Sequence, residues 1–452
     1  MKRVFCVTDY GAVSGVKALQ TAAFQGAIDD CFLSGGGEVT VPKGDYYIGG
    51  IIMRSNVTLR LQKDAHILAS RNAEDYLNFV ADKINPVSEA DKTDSLWTPV
   101  QERKSIDFII KPASRWNNAL IKAIDSENMA IIGEEGSFID GRDCYDELGE
   151  EHYRGPHAIN MHRCKNLEFC GYEIKNSANW AHALFDSQNI TVKNVKITAG
   201  HDGVHLTSCD NTDIRDCDFC TGDDCIAGID NLNVYVGNCK INSSCSAFRF
   251  GGKDITVENC DIFGPGKYLH RSSLTLEEKI SGVVSQDSEH RFNMLSAFIY
   301  YCDFTRPGRH NAGNIVIKDC NFKNVDRFLE YNFSGSNPWQ SNKPLESIKF
   351  ENITAKGIKM PLVLYGDEKV KANLQVENCD IDFAEDVKCA FMHLCNYGKV
   401  SLKDVTIKNC GSDALIKKWD LDGEIVYDNL NCIVFYGETE KLASEEFSCE
   451  WI

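Results

Sequence analysis

Residues 200–224 read GHDGVHLTSCDNTDIRDCDFCTGDD and combine a sequence repeat with a group of carboxylates. Asp202 and Asp223 lie 21 residues apart, and Asp224 follows directly. Similar intervals recur in the flanking sequence, where β-prone segments begin at steps of 22, 22 and 21 residues, at Asn189, Asn211, Asn233 and Asp254. A repeat of this length with β-branched residues is typical of a solenoid. In a parallel β-helix, residues one repeat apart lie on adjacent strands about 4.8 Å apart, so Asp202 and Asp223 are predicted to meet on one face.

The bulk composition supports one long core and argues against two classes of partner. Of the 452 residues, 43% are hydrophobic, and the formal net charge is −18. This charge argues against nucleic acid or an anionic membrane surface as a partner. No apolar run approaches the ~18 residues of a membrane span. Because solenoids lengthen without dividing, we predict one domain over residues 1–452 and leave the oligomeric state open.

The cysteines recur with the repeat. The chain has 20 of them, and Cys217, Cys239 and Cys260 are 22 and 21 residues apart. Stacked thiols in a reduced solenoid explain this register better than a disulfide framework does. The opening residues, MKRVFCVTDYGA, contain no apolar secretory segment, so a cytoplasmic location is expected. Cys217 and Cys220 have metal-ligand spacing, but no second pair follows, and we predict neither a metal nor a cofactor.

One helix and two irregular stretches interrupt the strand pattern. Residues 17–34 place apolar side chains at helical spacing, and the run Ser34-Gly-Gly-Gly37 ends the pattern. We predict a helix that caps the open end of an all-β solenoid. The repeat is lost over about 72–118 and again over about 264–312. Long excursions from a solenoid tend to lie on one side, so these two are predicted to flank a cleft.

Six short motifs, in this order, resemble the first part of glycoside hydrolase family 28, the polygalacturonases and their relatives. The motifs are Asp9-Tyr-Gly-Ala12, Gly35-Gly-Gly-Glu-Val-Thr-Val-Pro-Lys-Gly44, Ser55-Asn-Val-Thr-Leu59, Ile139-Asp-Gly141, Asn176-Ser-Ala-Asn-Trp180 and Thr221-Gly-Asp-Asp-Cys225. The resemblance covers residues 4–262 well, and the remainder only through the repeat. It implies a single right-handed parallel β-helix, and a reaction that hydrolyses O-glycosidic bonds with inversion.

The same resemblance implies roles for the three aspartates. Asp223 would be the general acid, and Asp202 and Asp224 would hold and activate water. Clustered carboxylates suit this chemistry, because mutual repulsion raises the pKa of one carboxyl while the others stay ionised. The alternatives for such a cluster are a calcium site or a solvated turn. Neighbouring residues on a flat strand point to opposite faces, so the chain must bend for Asp223 and Asp224 to act together.

Three departures from the family pattern concern the substrate. Gly200-His-Asp-Gly203 stands where the family usually has Asn-Thr-Asp-Gly, and the histidine of a Gly-His-Gly motif is missing near Cys245-Ser-Ala247. The Arg-Ile-Lys motif that binds the galacturonate carboxylate has no clear counterpart between about 285 and 312. The resemblance therefore leaves the sugar open, and we expect polygalacturonate to be a poor substrate.

Candidate substrate-binding residues surround the aspartates in the repeat. Arg249 lies between Phe248 and Phe250 one coil later, so strand alternation turns it outward, where it would bind substrate or pair with Asp224. Trp180, one coil before Asp202, could stack on a sugar ring. The other candidates, each weighed against packing in the core or a turn, are His205, His182, His201 and His157.

The sequence predicts a metal-free glycosidase that cleaves a small oligosaccharide, pectin-derived or from another plant or host glycan. One alternative is a lyase or an epimerase on the same scaffold, although a lyase base is usually Lys, Arg or a metal-bound group. The other is a carbohydrate-binding β-helix without hydrolytic activity.

Overall fold

The computed structural model describes residues 3–76, 98–99, 114–281, 283–285, 291–305, 309–333, 339–385 and 387–444. Strands dominate this part of the chain, and they pair in parallel with strands one repeat away. The prediction of a parallel β-helix is therefore confirmed. The helices are α1 (Thr21–Leu33), α2 (Glu150–Tyr153) and α3 (Leu276–Ser281), with 3-10 turns at Val7–Tyr10, Ala73–Tyr76, Arg115–Asn117 and Arg271–Ser273.

The strands are short and evenly spaced along the chain. Up to Thr221 they are β1 (Val4–Cys6), β2 (Gly37–Val41), β3 (Gly44–Ile48), β4 (Ile51–Ile52), β5 (Val57–Leu61), β6 (Ala65–Ala69), β7 (Thr98–Pro99), β8 (Ala119–Ile124), β9 (Glu127–Gly133), β10 (Phe138–Asp140), β11 (His157–His162), β12 (Lys165–Cys170), β13 (Glu173–Lys175), β14 (His182–Phe185), β15 (Gln188–Lys193), β16 (Lys196–Ala199), β17 (Val204–Thr207), β18 (Asp210–Arg215) and β19 (Asp218–Thr221).

The later strands include several longer ones. They are β20 (Ile226–Gly237), β21 (Lys240–Ser243), β22 (Ser246–Glu258), β23 (Asp261–Phe263), β24 (Met294–Tyr300), β25 (Phe304–Thr305), β26 (Gly313–Lys318), β27 (Asn321–Lys323), β28 (Val325–Asn332), β29 (Ser347–Glu351), β30 (Thr354–Ile358), β31 (Leu362–Tyr365), β32 (Ala372–Phe383), β33 (Met392–Cys395), β34 (Tyr397–Lys408), β35 (Ala414–Lys418), β36 (Glu424–Ile433) and β37 (Glu438–Leu442).

The chain groups into two compact units. The first unit comprises Met1–Trp97, Glu102–Asp223 and Tyr268–Arg291, and the second comprises Thr98–Gln101, Asp224–Lys267 and Phe292–Ile452. The organisation of residues 1–452 as one domain stays a prediction.

Three ladders of strands build the first unit around the predicted site. β11, β14 and β17 form one ladder, β12, β15 and β18 the second, and β13, β16 and β19 the third. Equivalent residues of successive coils stack: Leu184 pairs with Leu206, and Ile197 pairs with Phe219. All four side chains are buried. The apolar repeat in the sequence thus becomes a continuous stacked core.

A column of asparagines marks the turns between the first and second ladders. Asn166, Asn189 and Asn211 each donate a side-chain hydrogen bond to the asparagine one coil before, at 2.8, 2.9 and 3.2 Å. Their φ angles are 56°, 57° and 55°. Asparagine is among the few residues that tolerate this left-handed conformation. Its side chain also forms the hydrogen bonds of the column, so one residue type meets both requirements.

Cysteines recur at another turn of the coil in the second unit, the one that follows β20, β22 and β26. The thiols of Cys239, Cys260 and Cys320 donate to the carbonyl oxygen two residues earlier, at 3.2, 3.3 and 3.0 Å. All three are buried. A small side chain with a weak donor fits such a narrow turn, which accounts for the recurrence of cysteine with the repeat. Among the cysteines that the structure describes, none forms a disulfide.

Helix α1 confirms the predicted N-terminal helix, although it begins at Thr21 rather than near residue 17. The difference comes from Gln20, whose side chain accepts a hydrogen bond from the Val13 amide at 2.6 Å and donates to the Val16 carbonyl at 3.0 Å. These bonds fold the preceding segment back before the helix starts. Within the described residues, no helix is both long and apolar enough to cross a membrane.

The two predicted excursions have different outcomes. Most of 72–118 lies outside the described residues. The second excursion, predicted over 264–312, ends earlier than expected, because β24 resumes the ladder at Met294. Ser296 and Phe298 pair with Ser246 and Phe248 of β22. The expected end was therefore wrong: charged residues around 289–291 obscured a strand whose buried residues follow them.

Candidate active site

Asp202 and Asp223 occupy equivalent turns of successive coils in the first unit. Asp202 follows β16 and Asp223 follows β19, and these strands pair with Ala199 opposite Thr221. The two carboxylates have oxygens within 4.8 Å of each other. The residues are only 2% and 8% exposed, which excludes the solvated-turn alternative. The repeat thus brings the pair together as its spacing predicts.

An aromatic stack holds Asp202 in place. Nδ1 of His205 lies 2.8 Å from Oδ2 of Asp202, and both side chains are buried. The imidazole lies flat against Trp180, with ring centroids 3.6 Å apart and an interplanar angle of 5°. Trp180 in turn meets Trp116 edge-on at 5.5 Å. A ring N–H of His205 can donate to this carboxylate oxygen, and the stack fixes the direction of that bond.

Two basic side chains flank Asp223. Nη2 of Arg154 lies 3.5 Å from Oδ2 of Asp223, and Nε2 of His270 lies 3.6 Å from the same oxygen. Burial alone would raise the pKa of Asp223, but His270, Arg154 and His201 outweigh it and hold that pKa well below its ordinary value. The carboxyl is therefore ionised at neutral pH in the substrate-free protein.

His270 reaches Asp223 because two glycines leave room for the segment that carries it. A Cβ atom on Gly222 would lie 2.1 Å from the carbonyl oxygen of Leu269, and one on Gly200 would lie 1.9 Å from Cγ of Arg271. Any larger residue at either turn would displace this segment. His270 thus supplies an imidazole beside the predicted acid.

Neither His270 nor Arg154 was predicted as a site residue. His270 lies in a stretch without a repeat, so no spacing connects it with Asp223. Arg154 lies just before the predicted candidate His157. The available signal was the pair of glycines at equivalent turns, Gly200 and Gly222, which indicates close approach of another part of the backbone.

The second unit holds Asp224 and Arg249. Asp224 is fully buried, and its Oδ1 accepts a hydrogen bond from the Ser246 amide at 3.2 Å. Nη1 of Arg249 lies 3.5 Å from Oδ2 of Asp224. The guanidinium also stacks over Tyr301 and Trp339, at 4.0 and 4.5 Å from the ring centroids. Arg249 is 22% exposed, so the predicted ion pair forms while one edge stays accessible.

Three of the predicted substrate contacts are core residues instead. His182 is fully buried, with Nε2 2.9 Å from the Tyr172 hydroxyl, and burial lowers its pKa to about 3. His157 is also fully buried, between Trp116 and Trp180. Trp180 itself presents its face to His205. The interpretation of these three as sugar contacts was wrong. Strand periodicity predicts the side of the strand to which a residue points, but it does not reveal which other side chains already pack against it.

His201 lies between the aspartates and the second excursion. It is buried, and its Nδ1 has no hydrogen-bond partner. Burial and the charge of Arg154 lower its pKa well below the ordinary value. His201 is therefore a neutral imidazole whose position agrees with the prediction, and its role stays a prediction.

Comparisons with known proteins agree with the motif resemblance. The sequence model of the family described as "Glycosyl hydrolases family 28" matches residues 92–263. A probable polygalacturonase of Vitis vinifera is 27% identical over 247 residues, which are 51% of this chain and 46% of that protein. The chain thus spans less than half the length of this relative. The resemblance to the family is therefore confirmed over residues 92–263.

Solved structures agree with the fold. A family 28 exopolygalacturonase of Yersinia enterocolitica matches with a TM-score of 0.62 and 16% identity, over 94% of this chain and 78% of that structure. A hyperthermoactive exopolygalacturonase of Thermotoga maritima matches with a TM-score of 0.61 and 17% identity, over 95% and 91%. These likenesses confirm the right-handed parallel β-helix.

Proposed function

We propose that this chain hydrolyses an O-glycosidic bond in an oligosaccharide. The observation that carries the proposal is the buried pair Asp202 and Asp223, with carboxylate oxygens within 4.8 Å. Like charges this close are costly unless they serve chemistry. Glycosidases use such a carboxyl pair, one member as the acid and the other to activate water or attack the sugar.

The different partners of the two carboxylates support different roles. Asp223 faces Arg154 and His270, which favour its ionised form, so its role as an acid rests on the family resemblance and on protonation at acidic pH. We assign Asp223 as the general acid that protonates the leaving oxygen. Asp202, oriented by His205, accepts the proton of the attacking water. The family resemblance assigns the same task to Asp224.

The stereochemistry follows from the resemblance rather than from the distance. Most inverting enzymes separate their carboxyl groups by about 6.5–9.5 Å, and most retaining ones by about 5–5.5 Å. Oxygens within 4.8 Å lie closer than the usual inverting arrangement. We nevertheless propose inversion, as the family implies. Proton NMR of the first product tests this: a retained anomer would make Asp202 a nucleophile instead of a base.

A screen of aryl glycosides and of pectic, hemicellulosic and host-glycan oligosaccharides tests the proposed function. Wild-type protein should release sugar from at least one substrate, and Asp223→Asn should abolish most of that activity. Asp218→Asn is the matched control, because Asp218 is exposed at the start of β19, the strand that precedes Asp223. Binding without turnover in the wild type, unchanged in Asp223→Asn, would instead identify a carbohydrate-binding protein.

One observation favours a lyase as the second candidate. Lys279 belongs to the second excursion, and burial together with the charge of Arg154 lowers its pKa to about 8. A lysine of this kind can act as a base near neutral pH. An unsaturated product, seen by its ultraviolet absorbance, would select this candidate over hydrolysis.

A further inference from the structure

Residues 268–271, here called the strap, cross the turns of four successive coils in the first unit. These turns follow β10, β13, β16 and β19, which pair in register from one coil to the next. The strap lies against one residue in each turn, and these residues are Asp143, Asn176, Gly200 and Gly222. The strap therefore runs across the coils, and it carries His270 to Asp223.

An ion pair between Arg271 and Asp143 anchors the strap. The two carboxylate oxygens of Asp143 accept hydrogen bonds from Nε and Nη2 of Arg271, at 3.2 and 2.5 Å. The side chains are 17% exposed for Arg271 and 37% exposed for Asp143, so the pair is partly shielded from water. Two parallel hydrogen bonds fix the orientation of a guanidinium as well as its distance. Because Arg271 follows His270 directly, this contact limits where the imidazole can lie.

Further hydrogen bonds hold the strap on the other side of His270. The Tyr268 hydroxyl donates to Oδ1 of Asn176 at 2.8 Å, and it accepts from Nη2 of Arg271 at 2.9 Å. The amide of Arg271 donates to the Gly200 carbonyl at 3.2 Å. The residues on both sides of His270 are thus fixed to the turns, and to each other.

The imidazole of His270 depends on this support, because its own contacts are weak. Its Nδ1 is buried without a hydrogen-bond partner, and its Nε2 lies 3.6 Å from Oδ2 of Asp223, which is longer than a normal hydrogen bond. Even so, His270 lowers the pKa of Asp223 more than Arg154 or His201 does. An effect of charge falls with distance, so a shift of the strap would weaken it.

The turn that carries Asp143 has an uncommon backbone. Arg142 and Asp143 have φ angles of 54° and 47°, in the left-handed region that residues other than glycine, asparagine and aspartate rarely adopt. Oδ1 of Asp140 supports the turn by accepting a hydrogen bond from the Arg142 amide at 2.8 Å. Backbone strain of this kind persists where the surrounding structure requires it. Here it presents the Asp143 carboxylate to Arg271.

We propose that Asp143 is a positioning residue, which holds the strap through Arg271 and so keeps His270 against Asp223. The inference rests on the proposed function and deepens it, because it identifies a residue that controls the pH range of the candidate acid. Asp143 acts on Asp223 through Arg271 and His270.

Chemical labelling of His270 tests the positioning without any need for activity. Diethyl pyrocarbonate acylates accessible imidazoles, and His270 is only 8% exposed. In Asp143→Asn the labelling of His270 should speed up by about tenfold or more, because the strap opens more often. Mass spectrometry of the peptide that contains His270 measures the rate. His182, which is fully buried, should stay unlabelled in every variant and so reports on global unfolding.

Asp125→Asn is the matched control. Asp125 has a φ of 49° and a side chain that is 36% exposed, and it forms the same two-point contact with Arg163, at 2.7 and 2.8 Å. It lies in the first unit but away from the strap. Labelling of His270 in Asp125→Asn should therefore match that in the wild type.

The reaction rate separates positioning from a general structural role. At about pH 7, kcat/KM should rise in Asp143→Asn by up to about tenfold, as in His270→Gln, because more of Asp223 is then protonated. The double variant should equal His270→Gln alone, since both changes act through the same imidazole. Burial raises the pKa of Asp143, so the comparison avoids acid, where the wild type would lose this carboxylate as well. The charged groups around Asp143 are Arg271, Asp140 and Arg71.

Arg271→Lys is the second variant, because it keeps the charge but loses the two-point contact. Labelling of His270 should speed up in it as well. Labelling in Asp143→Asn and Arg271→Lys that is no faster than in Asp125→Asn would overturn the proposal. A fall of kcat/KM in Asp143→Asn would also overturn it, because the lost negative charge would then act on Asp223 directly.

The two readouts distinguish this proposal from the proposed function. Faster labelling of His270 in Asp143→Asn, without turnover by the wild type, removes the hydrolase and keeps the positioning role. Turnover by the wild type, with unchanged labelling in Asp143→Asn, keeps the hydrolase and removes the positioning role. Thermal unfolding of each variant checks that it is folded.

Discussion

At the scale of single residues, Asp202 and Asp223 are chemically alike but have different partners. Asp202 has one imidazole, held by Trp180. Asp223 has Arg154 and His270, which hold its pKa well below the ordinary value. The stability that these partners contribute is present above the ordinary pKa of an aspartate, and it is lost as the pH falls through the lowered pKa. The same contacts that favour the departure of a proton therefore also link folding to pH.

Replacing Asp223 with asparagine tests the role of the acid. The change removes the proton and the charge but keeps the size, so kcat should fall by about 10²–10⁴ while KM stays nearly unchanged. The loss should shrink for aryl glycosides with good leaving groups, because these need little protonation. For Asp202→Asn the loss of kcat should be as large on these aryl glycosides as on other substrates. Near-normal turnover by Asp223→Asn on an oligosaccharide would contradict the assignment.

Asp223→Asn should also lower the stability of the fold. Arg154 and His270 are about 90% buried, and the change removes the carboxylate of Asp223 from both of them. We expect a loss of about 1–3 kcal/mol, at the lower end for buried ion pairs because the contacts are long. Thermal unfolding of Asp223→Asn beside the exposed control Asp218→Asn measures this.

The pH profile tests the influence of His270. If Asp223 must be protonated to act, kcat/KM falls as the pH rises above its lowered pKa, so the optimum should be acidic. His270→Gln removes one group that lowers this pKa, and the falling limb should move to higher pH by about one unit. His66→Gln, at a histidine paired with Asp45 instead, should leave the profile unchanged. If the falling limb of kcat/KM in His270→Gln stays in place or moves to lower pH, His270 does not lower the pKa of Asp223.

At the scale of structural elements, the asparagine column joins local conformation to stacking. Asn189 has a φ of 57° and bonds to the asparagines of the coils before and after it. Asn189→Gly keeps the backbone conformation but loses both hydrogen bonds, whereas Asn189→Ala also strains the backbone, by about 1–2 kcal/mol. The midpoint of urea unfolding should fall for both variants and further for alanine. A urea midpoint for Asn189→Ala that equals or exceeds that of Asn189→Gly would contradict this account.

The same scale shows what the sequence could predict. The 21- and 22-residue steps predicted the ladders and the meeting of Asp202 with Asp223, because a repeat converts directly into stacking. The approach of residues 268–271 could not be predicted, since it depends on contacts of a non-repeating segment. Strand alternation likewise could not reveal that His205 covers the face of Trp180, which depends on how two side chains of successive coils pack.

At the scale of the whole molecule, net charge and local charge differ in sign. The formal charge of −18 argues against polyanionic partners, which stays a prediction, whereas four cationic side chains line a cavity beside Asp223. The cytoplasmic location, which would supply short oligosaccharides rather than polymers, stays a prediction.

Cleavage in H₂¹⁸O tests the central claim, hydrolysis by the Asp202 and Asp223 pair, most directly. The wild type should place one ¹⁸O atom at the new reducing end of an oligosaccharide product, measured by mass spectrometry before spontaneous exchange in an enzyme-free blank. Asp202→Asn and Asp223→Asn should form little product. Cleavage that yields an unsaturated product without ¹⁸O, or full ¹⁸O incorporation by Asp202→Asn, would contradict the account.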